Sequence, residues 1–301
     1  MDQAERLRTI IKMNRQDNSQ KKIQNQDHPK PAKVIAVTSG KGGVGKSNVS
    51  INLAIQLTKL QHRVVIFDAD FGLANIEVMF GAVPKYNFSD LIYGGKGIRD
   101  IITQGPMGIG FISGGSGIPG MGNLTKPQIE YLAGCLCELD EIADIIIIDT
   151  GAGISDSVVS FLTACAEILL VVTPEPTSVT DAYSLLKILN RTPGFGNENT
   201  SIRVVTNRVG SEHEGAVLYS KLNAVVKRFL DIRIGFLGYV PEDRNISRAV
   251  IQQTPISIQN PWAKSSKAFE RLASVFAEST QNQPQQQGFV QIIAGLMNRK
   301  M

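Results

Sequence analysis

Histidine and cysteine are scarce in this chain, with three of each among 301 residues. The histidines His28, His62 and His213 are far apart, so a metal site built on them is not expected. An odd number of cysteines, two of them Cys135 and Cys137, argues against a disulfide framework and fits a reducing compartment. We therefore expect a cytoplasmic protein with buried thiols.

Long apolar runs and a strong net charge are also missing. No apolar run approaches the roughly 18–20 residues that span a bilayer, so no integral membrane protein is expected. The polar amino terminus excludes a secretory signal. The formal net charge of +4 does not create the global basic field of a dedicated nucleic-acid binder. An apolar share of 43% nevertheless allows a substantial core.

Short apolar runs rich in β-branched residues begin at Lys33 and alternate with longer helical stretches. The runs are KVIAVTS, RVVIFD, GIGFISG, DIIIID, EILLVVT, SIRVVTN and IRIGFLGYV. Their apolar character is continuous, which is typical of strands buried on both faces of a parallel sheet. We predict a doubly wound α/β fold with helices on both faces, in which ligands bind beyond the carboxyl ends of the strands.

Composition divides the chain into five segments. Residues 1–13 predict a short helix, and residues 14–32 are too polar to fold and predict a flexible linker. Residues 33–279 contain the alternating strands and helices of the main domain. Residues 280–287 form a polar spacer, and residues 288–301 are apolar again.

The segment SGKGGVGKS follows the first predicted strand and satisfies two patterns. Gly40, Gly42 and Gly45 fit the GxGxxG of dinucleotide-binding folds, and Asp68 lies about twenty residues further on. Gly40 to Ser47 also fit the GxxxxGK[ST] of a P-loop. The Lys-Ser pair at the start of a predicted helix makes the P-loop the stronger interpretation.

In a P-loop, backbone N–H groups surround the phosphate oxygens of a nucleotide. We expect Lys46 to reach the β- and γ-phosphates and the Ser47 hydroxyl to bind Mg²⁺. The other nucleotide contacts predicted in this segment are Gly40, Lys41, Gly42, Gly43, Val44, Gly45 and Asn48.

Aspartates end two of the predicted strands. Asp68 ends VVIFD, Asp70 follows two residues later, and Asp149 ends DIIIID in the Walker B pattern. Because the carboxyl ends of these strands surround one P-loop, we predict that Asp68 and Asp149 hold Mg²⁺ and that Asp70 orients the attacking water. A strand-end aspartate can also simply cap a turn, which remains the alternative for each acid taken alone.

With DADFG and DTGAG, the segment KGGVGKS resembles the deviant Walker A signature of the MinD/ParA ATPases, over residues 33 to about 279. The resemblance implies slow hydrolysis of ATP to ADP with Mg²⁺, by a homodimer that ATP assembles. It implies that Lys41 reaches the phosphates of the partner subunit, whereas Lys46 acts within its own. A cation supplied by the partner would couple hydrolysis to assembly.

The same resemblance implies contacts to the adenine base. Asn207 and Arg208 in VVTNRV end a strand where family members contact the base, and Pro241 and Glu242 in YVPEDRNISRAV resemble the segment that closes over it. Each pair could instead form a simple turn. Many relatives carry proline where this chain has Gly151, which leaves Asp149 unaffected.

The carboxyl-terminal segment GFVQIIAGLMNRKM has one apolar face when drawn as a helix. That face contains Phe289, Val290, Ile292, Ile293, Leu296 and Met297. With Arg299 and Lys300 after it, the pattern predicts an interfacial helix that binds anionic lipids at the inner face of the cell membrane. Two such helices in an ATP dimer would gain avidity. Packing into a groove of its own domain or of a partner is the alternative.

The amino-terminal DQAERLR resembles the conserved start of the FlhG family, also named YlxH or FleN, whose members control flagellar number and placement. The resemblance implies that this helix stimulates the GTPase FlhF through Gln3, Leu7 and Arg8. Flagellar switch (C-ring) proteins are further expected partners. A helix without any partner is the alternative.

Other functions stay open on the residues alone. A ParA-like DNA-partition protein would use a basic surface such as Lys221, Lys227 and Arg228, although nucleic acid is not the expected partner. A MinD-type division-site ATPase shares the same motifs. An iron–sulfur carrier would need a CxxC pair, which the CLC segment does not supply. A Rossmann oxidoreductase would bind NADH rather than ATP.

Overall fold

A computed structural model of the chain describes residues 32–70, 75–115, 138–193, 195–196 and 200–279. The predicted helix of residues 1–13 and the predicted segments after residue 279 lie outside these residues, as does nearly all of the predicted linker.

A mostly parallel sheet forms the centre of the domain. Among the described residues its strands are β1 Lys33–Thr38, β2 Val64–Ala69, β3 Thr103–Gln104, β4 Gly110–Ser113, β5 Ile145–Thr150, β6 Glu167–Val172, β7 Ser201–Val209 and β8 Gly235–Pro241. Their order is β3-β4-β2-β5-β1-β6-β7-β8, and β3 pairs with β4 in the antiparallel sense. The other pairings are parallel, which confirms the predicted doubly wound fold. The two-residue strand β3 was not predicted because it is too short to carry a pattern.

Helices connect the strands. In the described part of the chain they are α1 Lys46–Lys59, α2 Asn75–Phe80, α3 Phe88–Tyr93, α4 Ile98–Ile101, α5 Leu139–Ile142, α6 Asp156–Ala164, α7 Pro176–Arg191, α8 Glu212–Phe229, α9 Arg244–Ile251, α10 Ile256–Gln259 and α11 Lys264–Ser279. None of these described helices has the length and apolar character needed to cross a membrane.

Side chains of the sheet alternate between two cores. On β1, Val34 and Ala36 belong to the core that α6, α7 and α8 cover, whereas Ile35 and Val37 belong to the core that α1 and α11 cover. Burial on both faces explains why the strands read as continuous apolar runs. The carboxyl ends of the parallel strands form one edge of the sheet, here named the carboxyl edge, and the opposite edge is the amino edge.

The amino edge contains a buried group of charges. Glu167 at the start of β6 accepts a hydrogen bond from Arg203 Nε at 2.6 Å, and its Oε2 lies 3.8 Å from Lys33 Nζ. Lys33 Nζ also lies 3.7 Å from the centroid of the Phe276 ring in α11. Burial, only partly opposed by Glu167, lowers the pKa of Lys33 to about 8. Ala32, assigned by composition to the linker, is buried and donates its N–H to Asp140 Oδ1, so this residue packs with the domain.

The lowered pKa of Lys33 predicts a pH-dependent stability. The unfolded chain keeps the ordinary lysine pKa of 10.5, so between pH 8 and 10.5 it binds more protons than the folded chain. Lys33 alone should therefore add about 2 kcal/mol to the free energy of unfolding between pH 8 and 10. Urea denaturation at both pH values measures it. Lys33→Met should lack this contribution and Lys221→Met, at an exposed lysine, should keep it; an equal pH dependence of stability in both variants would contradict the assignment.

Candidate functional site

The glycine-rich loop joins the carboxyl end of β1 to the start of α1. Gly43 and Gly45 have φ angles of +77° and +90°, a left-handed conformation that side chains with a Cβ rarely adopt. A Cβ on Gly45 would also lie 2.5 Å from Asn207 Nδ2. The loop therefore needs glycine at these two positions, and it brings backbone N–H groups to the start of a helix, where phosphate groups bind.

Gly40 is constrained by packing instead. A Cβ at this position would lie 2.2 Å from the carbonyl carbon of Asp181 in α7, so the loop backbone rests directly on that helix. The loop is also held on the side away from α7, because the Ser39 carbonyl accepts a hydrogen bond from Gly153 N at 2.9 Å. Ser39 Oγ donates to the Lys41 carbonyl at 2.8 Å. The loop is thus fixed between α7 and the segment that follows β5.

Lys46 and Asp149 face each other below the loop. Lys46 Nζ lies 3.8 Å from Asp149 Oδ1, and Ser50 Oγ donates to the same oxygen at 2.8 Å. Asp149 is fully buried, and its Oδ2 has no hydrogen-bond partner in the part of the chain that the structure describes. A buried carboxylate oxygen without a partner is a position at which a cation or a metal-bound water would be stabilised.

Asp68 and Asp70 add further negative charge beside this pair. Asp68 pairs with Asp149 in register, and its carboxylate accepts hydrogen bonds from Asp70 N and Ile76 N, both at 3.2 Å. Burial, with a smaller effect of Asp149, raises the pKa of Asp68 to about 7. Burial also raises the pKa of Asp70, although Lys46 opposes this shift. The structure therefore brings the three predicted acids together around one lysine.

These acids fit Mg²⁺ but do not form a complete cage for it. Among the described residues, no group of three or more His, Cys, Asp or Glu side chains is arranged to hold a metal ion. Mg²⁺ is normally held by one or two carboxylates together with substrate phosphates and water. The carboxylates of Asp68 and Asp149 thus suit a magnesium ion that arrives with a nucleotide and takes its other ligands from phosphate and water.

Lys41 pairs with a different acid of its own chain and not with Asp68, Asp70 or Asp149. Its Nζ donates to Glu175 Oε2 at 2.6 Å and to Thr177 Oγ1 at 2.8 Å, at the start of α7. The Lys41 ammonium lowers the pKa of Glu175. Sequence reasoning missed Glu175 and Thr177, although their position after the carboxyl end of β6 is a signal that could have found them.

A cavity of about 330 Å³ adjoins the loop. It is lined by the predicted residues Gly45, Asn48, Asn207, Arg208, Pro241 and Glu242. The walls that sequence reasoning missed are Asp243, Arg244, Ile246, Ser247 and Phe269. Its size and mixed polar and apolar lining suit one small organic ligand.

Two polar side chains hold the walls of the cavity in place. Asn207 Nδ2 donates to the Val44 carbonyl at 2.7 Å, and Asn207 Oδ1 accepts from Arg208 N at 3.0 Å. Asp243 caps α9 and accepts a hydrogen bond from Ser265 Oγ at 2.8 Å, which ties the cavity wall to α11. Arg208 has a φ angle of +57°, a conformation unusual for a residue other than glycine.

Comparison with known proteins assigns the chain to a family. The family model described as CobQ/CobB/MinD/ParA nucleotide binding domain matches residues 35–256. The chain is 44% identical over 243 residues to the antiactivator FleN of Pseudomonas aeruginosa, covering 81% of this chain and 85% of the relative. It is 31% identical over 280 residues to the flagellum site-determining protein YlxH of Helicobacter pylori, covering 87% and 90%.

Solved structures share the fold. A chain of the MinC:MinD cell division protein complex from Aquifex aeolicus has a TM-score of 0.65 and 24% identity, covering 82% of this chain and 96% of that one. The septum site-determining protein MinD complexed with Mg-ADP from Pyrococcus horikoshii has a TM-score of 0.63 and 22% identity, covering 83% and 98%. At these identities the likeness concerns the fold alone.

The packing of Gly40 against α7 predicts that alanine is much less tolerated at position 40 than at position 42 of the loop. Gly40→Ala should lower the free energy of unfolding by about 2 kcal/mol, because the new methyl group overlaps the α7 backbone. Gly42→Ala is the matched control, since its Cβ would only make an ordinary contact with Ala152 at 4.0 Å. Urea denaturation without nucleotide measures both variants. Equal stabilities would show that the loop does not rest on α7.

Proposed function

The chain belongs to the CobQ/CobB/MinD/ParA family of nucleotide-binding domains, and from that premise we propose that it is a MinD-like ATPase that dimerises with ATP and controls flagellar number and placement. The similarity to FleN and YlxH along most of the chain carries the flagellar part of the proposal. The carboxyl-edge site, where Lys46 faces Asp149, supports the ATPase part.

Binding of ATP would use both halves of the site. Amide groups of the loop, with Lys46, would neutralise the phosphates, and the cavity beside the loop would take the base against Arg208, Pro241 and Glu242. Both ends of the Asn207 side chain already form hydrogen bonds within the protein. We therefore propose two roles for Asn207: it holds the loop in place, and it contacts adenine.

Hydrolysis would transfer the γ-phosphoryl group to water, and the leaving oxygen would stay on ADP. Mg²⁺, when bound by Ser47, Asp149 and Asp68, would supply charge that stabilises the phosphate oxygens. Asp70 would hold the attacking water by accepting one of its hydrogen bonds. Lys46 would stabilise the charge that grows on the leaving side.

Lys41 would complete the site of the partner subunit in the ATP dimer. In the isolated chain its ammonium group is bound to Glu175 and Thr177, so it would have to leave both partners. Lys41 would exchange the Glu175 carboxylate for a phosphate group, so its ammonium would keep an anionic partner throughout. Hydrolysis would then require assembly, because each protomer lacks its neighbour's cation until the dimer forms.

The two ends of the chain would link the ATPase cycle to the membrane and to protein partners. We infer that residues 288–301 bind anionic lipids when the dimer presents two copies, which makes the protein reversibly peripheral on the cell membrane. Residues 1–13 would dock on the GTPase FlhF through Gln3, Leu7 and Arg8. Flagellar switch proteins would be further partners. The relatives' names, an antiactivator and a site-determining protein, agree with such a regulatory role.

The partner-supplied lysine gives a direct test. With ATP, Asp70→Ala should form a stable dimer in light scattering, because binding is kept while hydrolysis stops. Lys41→Ala should lower ATP turnover by a factor of the order of 10³ and keep nucleotide affinity, since its charge acts only across the dimer. Lys85→Ala, at an exposed lysine outside the loop, is the control. Full turnover by Lys41→Ala would reject the trans role.

The amino-terminal segment gives a second test. A peptide of residues 1–20 should raise the GTPase rate of FlhF, because the docking contacts lie within it. The same peptide with Gln3→Ala, Leu7→Ala and Arg8→Ala is the control and should have no effect. An unchanged GTPase rate with the unaltered peptide would remove FlhF from the proposal.

A further inference from the structure

The amino edge carries an exposed surface that the proposed ATPase cycle does not use. Helices of this fold run back from the carboxyl edge, so α7 and α8 both end at the amino edge. Asn190 Oδ1 accepts a hydrogen bond from Asp231 N at 3.0 Å, which joins the two helix ends. We name this surface the basic end and define it by Lys187, Arg191, Lys227, Arg228 and Phe229.

The four cations of the basic end are not neutralised by neighbouring acids. All four are exposed, and in the described part of the chain no carboxylate lies within 4.0 Å of any of their charged groups. Asp231, in the short segment between α8 and β8, is the acid next to the end of α8 in the sequence, and it forms no ion pair with these four cations. Like charges held together on two rigid helices create a local positive potential that favours an anionic partner.

Apolar side chains distinguish this surface from an ordinary solvated face. Phe229 is 61% exposed, and its ring centroid lies 5.2 Å from the guanidinium carbon of Arg228. Val225, one turn earlier, is 41% exposed. An exposed aromatic ring among cations matches the chemistry of a bilayer interface, where aromatic rings lie at headgroup depth and cations bind anionic headgroups.

The chain also leaves the domain at this edge. The Phe276 ring near the end of α11 contacts Lys33 at the start of β1, so α11 reaches the amino edge. Residues 280–301 continue from there. An extended spacer of residues 280–287 would reach about 26–29 Å. The predicted membrane helix could therefore lie in the same plane as the basic end.

We propose that the basic end is a second membrane contact, in which the four cations bind anionic phospholipid headgroups and Phe229 enters the interface. The inference rests on the proposed function, because the C-terminal helix brings this edge to the bilayer. Two contacts on one chain would add avidity. Duplex DNA would attract the same cations through its phosphates, but it offers no apolar layer for Phe229 and Val225.

Vesicle binding by the full chain with a non-hydrolysable ATP analogue tests the proposal. Lys227→Gln/Arg228→Gln should weaken binding to phosphatidylglycerol-containing vesicles about 25-fold, since each cation contributes about fivefold. Lys85→Gln/Lys96→Gln removes the same number of charges beside Tyr86, outside the basic end, and should bind like wild type. Vesicles of phosphatidylcholine alone should not distinguish the variants.

A fluorescence measurement reports the position of the aromatic ring directly. Phe229→Trp, made together with Trp262→Phe, leaves one tryptophan in the chain. Its emission should shift to the blue with anionic vesicles and should be quenched by brominated lipid. An emission that stays that of an exposed tryptophan while the protein is bound would overturn the proposal.

The outcomes separate this inference from the proposed function. If the wild-type chain does not bind anionic vesicles, the membrane part of the proposed function and this inference both fail. If deletion of residues 288–301 abolishes binding and Lys227→Gln/Arg228→Gln binds like wild type, only the basic end is rejected. If that double variant loses affinity for duplex DNA and keeps its affinity for vesicles, the basic end is a nucleic-acid surface and the proposal is wrong.

Discussion

The burial of Asp149 against Lys46 is the interaction on which the site depends. Neither charge could stay buried alone, because an uncompensated ion in a protein interior costs several kcal/mol. Asp68 and Asp70 lie beside them, so three acids share the surroundings of a single lysine. Negative charge at this position would oppose the binding of phosphate groups, and a divalent cation together with the loop amides would offset it. The charges of the site thus agree with a nucleotide that binds together with Mg²⁺.

Helix α7 contacts the start of the loop through two neighbouring residues. Its backbone at Asp181 leaves room only for a glycine at position 40, and Glu175 and Thr177 at its start hold the Lys41 ammonium. A shift of the loop backbone at Gly40 would displace α7, and a movement of Lys41 would break its hydrogen bonds to the start of α7. Because tightly packed elements move between discrete arrangements, the position of α7 would depend both on phosphate binding at the loop and on the position of Lys41.

The sequence predicted the sheet and the loop well because both depend on local patterns. Continuous apolar runs identified the central strands, and glycine spacing identified the loop. Lys41 and Glu175 are 134 residues apart, and the Asp243–Ser265 tie joins two elements, so no local periodicity could reveal these contacts. The buried Lys33 at the amino edge was missed for the same reason, since charged residues at strand ends are normally exposed.

The position of the chain ends constrains how ATP could control location. β1 begins and α11 ends at the amino edge, while the nucleotide site lies at the carboxyl edge. Residues 1–31 and 280–301 therefore continue from the side of the sheet away from the phosphates. A nucleotide at the carboxyl edge is therefore far from the points at which these segments join the domain. Under the proposed function, assembly would link the two edges, because a dimer doubles every exposed binding segment and multiplies weak affinities by about 10²–10⁴. Such a link needs no contact between the nucleotide and the chain ends.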